Sequence, residues 1–276
     1  MTSLNVLAMS KDVLRFMRGP KDWMCVGVDI NALEPHIIAH FSQCPIYMGL
    51  YGPQAVPNQD AYILLGTTIP TYAAKFLEHY DPKSPNKEGV AHIKANYDKE
   101  RFVCKTTFLS CVYGIKPPAL QASLAAGGVD MSLREVESIH RDYWRTFAAV
   151  KKFSQKLQGE WRANGGYIIT GRGTPKALDM AAASQDILSR FTQTTGHQMI
   201  MRWIWHIDNV RKERGVTMRP IIKDLHDATY WTAPKDEIDA AGDVIQEGLN
   251  RLNEEIQLTV TLRGATKIGE SLEIAK

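Results

Sequence analysis

Several features that would assign this chain to a specialised class are scarce or absent. Its four cysteines, in 276 residues, form no Cys-x-x-Cys pair and no Cys/His grouping with zinc spacing, which argues against a disulfide scaffold or a structural zinc site. No apolar run approaches the roughly 20 residues that span a bilayer, and the first residues lack a basic segment followed by an apolar one. We therefore expect a cytoplasmic protein with reduced thiols and no membrane partner.

The chain also has little charge of one sign and no low-complexity sequence. It contains no Gly/Ser linker and no internal repeat, and its formal net charge is only +3. Hydrophobic residues make up 44% and charged residues 23%, which is ordinary for a globular protein large enough for one domain or two lobes. The charge permits a nucleic-acid partner without arguing strongly for one.

Two aspartates stand out because each follows an apolar run. Asp29 ends the run that starts at Val26, and Asp227 lies about two hundred residues later in the segment Lys223–Ala228. An aspartate at the end of a buried strand is costly to ionise unless a cation or a hydrogen-bond donor compensates its charge. Two Mg²⁺ ions roughly 3.5–4 Å apart, held by carboxylates from different parts of a fold, activate an attacking oxygen and stabilise a leaving one. The pair therefore suggests a shared metal site for phosphoryl transfer.

A row of four residues lies between the two aspartates in the sequence. Arg101, Lys105, Leu109 and Tyr113 recur every four positions and are followed by Gly114. Each step of four rotates only about 40° around an α-helix, so these residues form one slanting stripe, here called the Arg101 row. Its cationic half is expected to meet phosphate groups, and Gly114 is expected to end the helix in a left-handed conformation.

The pattern of the remaining chain predicts strands that flank a helical insertion. We expect a strand over 24–30, a helix over 33–42, mostly helix from 60 to about 165, a helix from about 183 to 212, two strands around a turn at 226–227, and a helix over 235–257. Asn96 is predicted to cap the helix of the Arg101 row. A capping box at Ser132 and Glu135 predicts one long helix that runs towards Asn164. Together these elements predict a sheet platform with an inserted helical lobe.

Three segments, in order, resemble the motifs of family A DNA polymerases of the bacterial polymerase I and phage replicative type. The first runs from Asp29 to Glu34 and on into a helix, the second is Arg101-x3-Lys105-x7-Tyr113-Gly114, and the third is Leu225–Ala228. Two further positions are similar to weaker landmarks of the family: Arg172, in Tyr167-x4-Arg172, and Gln193. Three motifs in order with the right separations are far more specific than any one of them.

This resemblance implies an α+β fold and two structural parts. A palm, formed by 1–50 and 170–276, would contain a small antiparallel β-sheet backed by helices. Residues 51–169 would form a helical fingers insertion.

The resemblance also implies the metal site and the reaction. Asp29 and Asp227 would ligate two Mg²⁺ ions, with the backbone carbonyl of Ile30 as a further ligand and Mn²⁺ able to substitute. Lys105 would donate a proton to the leaving pyrophosphate, so the catalytic residues are Asp29, Asp227 and Lys105. The primer 3′-hydroxyl would attack the α-phosphorus in line, with catalysis by positioning and charge neutralisation.

Contacts to the nucleotide and to DNA follow from the same resemblance. Arg101 and Lys105 fall where the family contacts the triphosphate, and Glu34 falls where a side chain crowds the sugar 2′-hydroxyl and excludes ribonucleotides. The implied nucleotide-binding set is Arg101, Lys105, Leu109, Tyr113, Glu34 and Tyr62. The implied primer–template set is Gln193, His226, Tyr113, Gly114 and Arg172.

Three positions depart from the family pattern. The family usually has an acid directly after the third-motif aspartate, where this chain has Ala228. Leu109 stands where an aromatic ring normally packs against the incoming sugar, which should alter discrimination against 3′-deoxy analogues. Tyr62 replaces a histidine that contacts phosphate. Both essential aspartates are retained.

In the family an exonuclease-like domain and a helical thumb precede the palm, and this sequence begins at about the point where the thumb ends. We therefore expect a split or thumbless polymerase that acts on DNA primer–template and dNTPs, with a second polypeptide supplying thumb and exonuclease. Such a chain alone should bind primer–template weakly, because phosphate contacts along the duplex supply much of the affinity. A split gene would suit a phage, which would place the protein in the host cytoplasm.

Two other functions remain open at this level. A single-subunit RNA polymerase has related motifs, but phage-type members have a small residue at the position of Glu34, so Glu34 favours deoxynucleotides. A catalytically idle DNA-binding or scaffold subunit could retain the fold. Against it, a scaffold has no reason to keep two desolvated acids and a cationic row.

Overall fold

A computed structural model of the chain describes residues 10–178, 187–225 and 227–275. Its helices and strands are, in chain order, α1 Lys11–Leu14, β1 Trp23–Ile30, α2 Leu33–Ser42, α3 Pro45–Tyr51, α4 Ala61–Gly66, α5 Pro70–Leu77, α6 Lys87–Asn96, α7 Asp98–Val112, α8 Pro117–Ala126, α9 Leu133–Thr146, α10 Ala148–Ala163, β2 Tyr167–Ile169, β3 Pro175–Ala177, α11 Ile187–Arg214, β4 Arg219–Leu225, β5 Ala228–Pro234, α12 Ile238–Ile256, β6 Gly264–Gly269 and a 3₁₀ turn Leu272–Ala275. The mixed fold with small antiparallel sheets confirms the predicted α+β class.

The chain divides into two compact units. The sheet unit takes the chain up to Glu34 together with Thr194 onward, and the helical unit is Pro35–Gln193. The helical unit is therefore an insertion in the sequence of the sheet unit. The assignment of palm to 1–50 and 170–276, and of fingers to 51–169, stays a prediction.

In the sheet unit, four antiparallel strands lie in the order β4-β5-β1-β6. Strand β1 is central, and its residues from Cys25 to Val28 are buried, as expected for an apolar run flanked by a strand on each side. In β1, Val28 pairs with Thr229 of β5 and with Thr266 of β6. The predicted strand over 24–30 is therefore confirmed, and so is the predicted pair of strands around 226–227.

Helices α11 and α12 contribute to the packing of the sheet unit. The buried Trp203 indole on α11 donates a hydrogen bond of 3.1 Å to the carbonyl of Ile245 on α12, and α12 packs against the sheet. Within the sheet, Gly27 of β1 lies beneath the Tyr230 ring, and a Cβ atom at position 27 would come within 2.2 Å of that ring. Glycine is therefore required by close packing at this central position.

The helical unit is built around α7. Cys104, Phe108 and Cys111 of α7 are buried and face the interior. Phe108 stacks on Tyr47 at a centroid distance of 5.6 Å and meets the edge of Phe147 at 5.5 Å. Such aromatic pairs add to the area they bury. They fix one side of α7 in the core, and the other side carries the Arg101 row.

Helix ends in this unit agree with the sequence in part. The capping box of Ser132 and Glu135 opens α9, and Gly114 has φ +78°, so both predictions are confirmed. Asn96 was predicted to cap α7, but its amide instead donates to the carbonyl of His92 within α6, and Tyr97 occupies the cap position. The single long helix predicted after Ser132 is also wrong, since the chain leaves helical geometry at Phe147, where φ is −102° and ψ is 44°.

In the part of the chain that the structure describes, no helix combines the length and apolarity that crossing a membrane requires.

Candidate active site

The β4–β5 hairpin places Asp227 beside Asp29. Leu225 pairs with Ala228, so Asp227 lies in the turn that joins the two strands. In the β1–β5 register Asp29 pairs with Ala228. Asp227 directly precedes Ala228 in the chain, so it lies next to the partner of Asp29. The amide of Ile30 donates a 2.8 Å hydrogen bond to the carbonyl of Asp227. Backbone pairing alone thus brings together two aspartates that are about two hundred residues apart in sequence.

The electrostatics of this pair disfavour ionisation of Asp29. Its pKa is raised, first by partial burial and then by the negative charge of Asp227, while the ammonium of Lys267 acts in the opposite direction. Tyr230, which lies on the adjacent strand, has its pKa raised to about 12 by burial and by the charges of both aspartates. The carboxylates of Asp29 and Asp227 are therefore two like charges close to one another in a partly buried site.

This arrangement fits a divalent cation bound with water. A cation between the two carboxylates would offset both their repulsion and the cost of burying them. Mg²⁺ prefers oxygen ligands, keeps several waters and is commonly held by one or two carboxylates plus substrate phosphates. Among the residues that the structure describes, no group of three or more His, Cys, Asp or Glu side chains is arranged for a metal. Ala228 contributes no acid to the pair, so Asp29 and Asp227 are its carboxylate donors.

Two other residues of the first motif lie near the same end of β1 in sequence. The Ile30 amide donates its hydrogen bond to the Asp227 carbonyl, and Ile30 pairs with Gly264 of β6. Glu34 lies in the first turn of α2 and is 9% exposed, which is unusual for a glutamate. The metal contact of the Ile30 carbonyl and the steric role of Glu34 stay predictions.

In the helical unit, the Arg101 row lies along the side of α7 that faces away from the core. Lys105 is exposed, Leu109 is 40% exposed and Tyr113 is 42% exposed, whereas the intervening Thr107 and Phe108 are buried. This confirms the geometric prediction that the row occupies one face. Leu109 and Tyr113 thus place an apolar and an aromatic side chain on the same exposed side of α7 as the Lys105 ammonium.

Arg101 lies in a cluster that also contains Asp60, Tyr62 and Lys94, here called the Asp60 cluster. Arg101 Nη2 donates to Asp60 Oδ2 at 2.8 Å, and its guanidinium carbon lies 5.1 Å from the centroid of the Tyr62 ring. Lys94 Nζ is 3.6 Å from the same carboxylate oxygen. The other oxygen, Oδ1, accepts the amide protons of Tyr62 and Ile63 and so caps α4. The carboxylate thus both starts a helix and orients the arginine.

The structure thereby adds residues that the sequence did not assign. No role for Asp60, Lys94 or Lys267 was predicted from the sequence. A signal for Asp60 was present, because an aspartate before the apolar run of Tyr62 and Ile63 is a typical helix cap. Its pairing with Arg101, 41 positions away, had no local signal.

The remaining predicted site residues are distributed over the helical unit. Gly114 follows the Arg101 row in the left-handed region, and Arg172 lies in the turn between β2 and β3. Gln193 is half-buried on α11. His226 lies outside the described residues.

Comparison with known proteins agrees with these observations. The structure of the POL domain of Pol1 from M. smegmatis, in complex with DNA primer-template and dNTP, matches with a TM-score of 0.74 and 16% sequence identity, over 96% of this chain and 43% of that one. This chain thus spans less than half the length of that protein, and the likeness establishes the fold. No curated protein matches. The family model described as DNA polymerase family A matches residues 83–273, more than half of the sequence. The chain belongs to DNA polymerase family A.

Proposed function

We propose that this chain catalyses template-directed addition of deoxynucleotides to a primer 3′-hydroxyl by two-metal-ion phosphoryl transfer. The observation that carries the proposal is the backbone pairing that sets Asp29 beside Asp227. An isolated pair of aspartates in this position would only destabilise the fold, because each disfavours ionisation of the other. Family membership and the match to a polymerase fold support the same reading.

Asp29 and Asp227 are the residues that would hold Mg²⁺, with the carbonyl of Ile30 as a further oxygen donor. Mn²⁺ has similar ligand preferences and is expected to substitute. When bound, two such ions lower the pKa of the attacking hydroxyl and neutralise the charge that develops on the leaving oxygen. The missing acid at Ala228 leaves fewer protein ligands, so we expect this site to need more divalent cation than one with a third carboxylate.

The Arg101 row would bind the nucleotide. Lys105 is exposed and has three rotatable donors, so it suits a triphosphate oxygen and proton donation to the leaving pyrophosphate. Arg101 has five N–H donors; the bond to Asp60 Oδ2 uses Nη2 and Nε is buried, so a phosphate would be bound by the terminal N–H groups that Asp60 does not use. Tyr62, on which the guanidinium stacks, would act through Arg101 at a position where the family has a phosphate-contacting histidine.

The apolar half of the row would meet the base and the sugar. Tyr113 follows the last residue of α7 with an exposed ring, and Gly114 then turns the chain in the left-handed region, so the ring is available to stack on the nascent base pair. Leu109 would contact the sugar without an aromatic face. Glu34, in the sheet unit, would crowd the 2′-hydroxyl and exclude ribonucleotides.

Arg172, Gln193 and His226 would contact primer and template. The palm role is proposed for 1–50 and 170–276, and the fingers role for 51–169. A second polypeptide that supplies a thumb and an exonuclease stays a prediction from the resemblance.

Primer extension with purified chain, Mg²⁺ and dNTPs tests this function. Asp29→Asn and Asp227→Asn should abolish extension, while Asp243→Asn, an exposed aspartate on α12 with the same change in charge, should not. Preference for ribonucleotides would favour the RNA polymerase alternative. Extension that survives in both aspartate variants would refute the two-metal site, and binding of primer–template without any extension by wild type would favour the idle scaffold.

A further inference from the structure

A lysine on the edge strand β6 shares a face of the sheet with Asp29. In the β1–β6 register, Asp29 pairs with Ala265 and Gly27 pairs with Lys267. Residues that pair directly across an antiparallel ladder project their side chains from the same face, and so do residues two apart in one strand. Lys267 therefore lies on the Asp29 face, two residues along β6 from the residue opposite Asp29.

The electrostatics of this face agree with that placement. The ammonium of Lys267 acts to lower the pKa of Asp29, against the larger effects of burial and of the Asp227 charge. Tyr230 pairs with Gly27 from the other neighbouring strand, and burial together with the charges of both aspartates raises its pKa. Lys267 is therefore within electrostatic reach of the Asp29 carboxylate, on the face to which both acids contribute their charge.

The ammonium of Lys267 is available to a ligand. Lys267 is half-buried, and within the described part of the chain its ammonium forms neither a hydrogen bond nor a salt bridge. Ala265, the residue opposite Asp29, is exposed and has only a methyl group. Strand β6 thus presents no bulky side chain between the ammonium and the aspartates. Three N–H donors with no protein acceptor remain for a ligand beside the two acids.

A phosphate of the primer suits this position by charge and by distance. In the proposed reaction the primer 3′-hydroxyl lies at the site of Asp29 and Asp227, and the phosphate of the same nucleotide lies on the other side of its sugar. Diagonal neighbours on adjacent strands are roughly 7–8 Å apart, so the Lys267 ammonium can reach a group one sugar away from Asp29. Lysine is a common phosphate ligand. The incoming triphosphate already has Arg101 and Lys105 as its proposed partners.

We propose that Lys267 binds the phosphate on the 5′ side of the primer's terminal nucleotide and thereby positions the 3′-hydroxyl at Asp29 and Asp227. The proposal rests on the proposed function for the identity of the ligand. It adds a primer contact in the sheet unit that the family resemblance does not assign. Lys267 places a positive charge where two carboxylates would otherwise repel the primer strand. Its effect is on the binding and alignment of the primer, and it takes no part in proton transfer.

Fluorescence anisotropy with primer–template hairpins that carry one neutral methylphosphonate linkage tests the proposal. One hairpin has the substitution at the 3′-terminal linkage of the primer, a second has it at an internal linkage farther back, and a third has natural phosphates throughout. Binding is measured in Mg²⁺ without nucleotide. Wild type should bind the terminally substituted hairpin about two- to twelvefold more weakly than the natural hairpin, the range of one hydrogen bond.

Lys267→Gln should bind the natural hairpin more weakly by the same factor and should be insensitive to the terminal substitution. The log–log salt dependence of its binding should be smaller in slope by about 0.9, the value for one phosphate contact on duplex DNA. Sensitivity at the internal linkage should match that of wild type. Lys267→Arg keeps the charge and should keep the sensitivity at the terminal linkage.

Lys235→Gln is the matched control. Lys235 is an exposed lysine of the sheet unit that follows β5 at the end opposite Asp227, so the change in charge is the same at a distant place. It should bind all three hairpins as wild type does. Terminal sensitivity that survives in Lys267→Gln, that disappears equally in Lys235→Gln, or that is absent from wild type would overturn the proposal. Because no extension is measured, the polymerase reaction can fail while the terminal linkage is still recognised, and extension can proceed without such recognition.

Discussion

Replacing Asp60 separates two tasks that its carboxylate performs in the structure. Oδ1 caps α4 by accepting the amide protons of Tyr62 and Ile63, and Oδ2 accepts from Arg101 Nη2 at 2.8 Å. Asp60→Asn keeps an oxygen for the cap and removes the charge, whereas Asp60→Ala removes both. The two variants should therefore differ chiefly by the free energy of the cap, because Asp60→Asn keeps the cap while its amide N–H₂ group faces Arg101 and cannot accept from it.

The expected magnitudes follow from burial and geometry. The Asp60 and Arg101 side chains are 12% and 20% exposed, so the pair is not an ordinary surface salt bridge, which contributes about 0–1 kcal/mol. A hydrogen bond to a charged group contributes about 1.5–3 kcal/mol, and that is the expected cost of Asp60→Asn in the free energy of unfolding. Loss of the cap adds about 1 kcal/mol in Asp60→Ala. For a chain of this size, Asp60→Asn should lower Tm by roughly 3–12 °C.

Urea denaturation followed by circular dichroism measures these differences. A double-mutant cycle with Arg101→Met isolates the coupling between the two side chains. Asn86→Ala is the matched control, because Asn86 caps α6 through its Oδ1 and has no such ion pair, so its cost should be about 1 kcal/mol. A coupling energy below about 1 kcal/mol, the upper value for exposed pairs, would refute the reasoning that Asp60 orients Arg101.

Three further predictions concern the sheet unit and the first motif. Glu34→Ala should admit ribonucleotides, seen as a higher ratio of ribonucleotide to deoxynucleotide incorporation, and an unchanged ratio would remove Glu34 from sugar selection. Gly27→Ala should cost about 1–3 kcal/mol in urea denaturation, because its Cβ would come within 2.2 Å of the Tyr230 ring; a wild-type midpoint would show that the ring moves freely. Without divalent cation, the raised pKa of Asp29 means that the folded chain binds this proton more tightly than the unfolded chain. Its contribution to stability is therefore present below the unfolded pKa and is lost as pH rises through the folded pKa. Across that pH range, the Tm of Asp29→Asn should change less with pH than the Tm of wild type. An equal dependence of Tm on pH in the two proteins would contradict this.

Local elements of this chain could be read from its sequence because their signals are short-range. The helix predicted over 33–42 is α2 with the same bounds, and the capping box at Ser132 starts α9 where expected. The proximity of Asp29 and Asp227 was suggested by the apolar run before each acid and by the resemblance, and its physical basis is the β1–β5 pairing, which no single segment encodes.

Features that depend on tertiary packing could not be predicted in this way. The break at Phe147 has no glycine or proline, and it coincides with a buried ring 4.7 Å from that of Tyr143. Asn96 has a residue type that favours caps, yet α6 extends through it, so its amide bonds within its own helix. The Asp60–Arg101 pair joins positions 41 residues apart, and only the fold brings them together.

Single-nucleotide incorporation on four templates that differ only in the next base tests the central claim most directly. Purified chain, a labelled primer, Mg²⁺ and one nucleotide at a time would be used, with deoxynucleotides and ribonucleotides in parallel and Asp227→Asn as control. The account predicts one added residue only with the complementary deoxynucleotide, and none in the variant. Addition that ignores the template base, prefers ribonucleotides or survives in Asp227→Asn would contradict it.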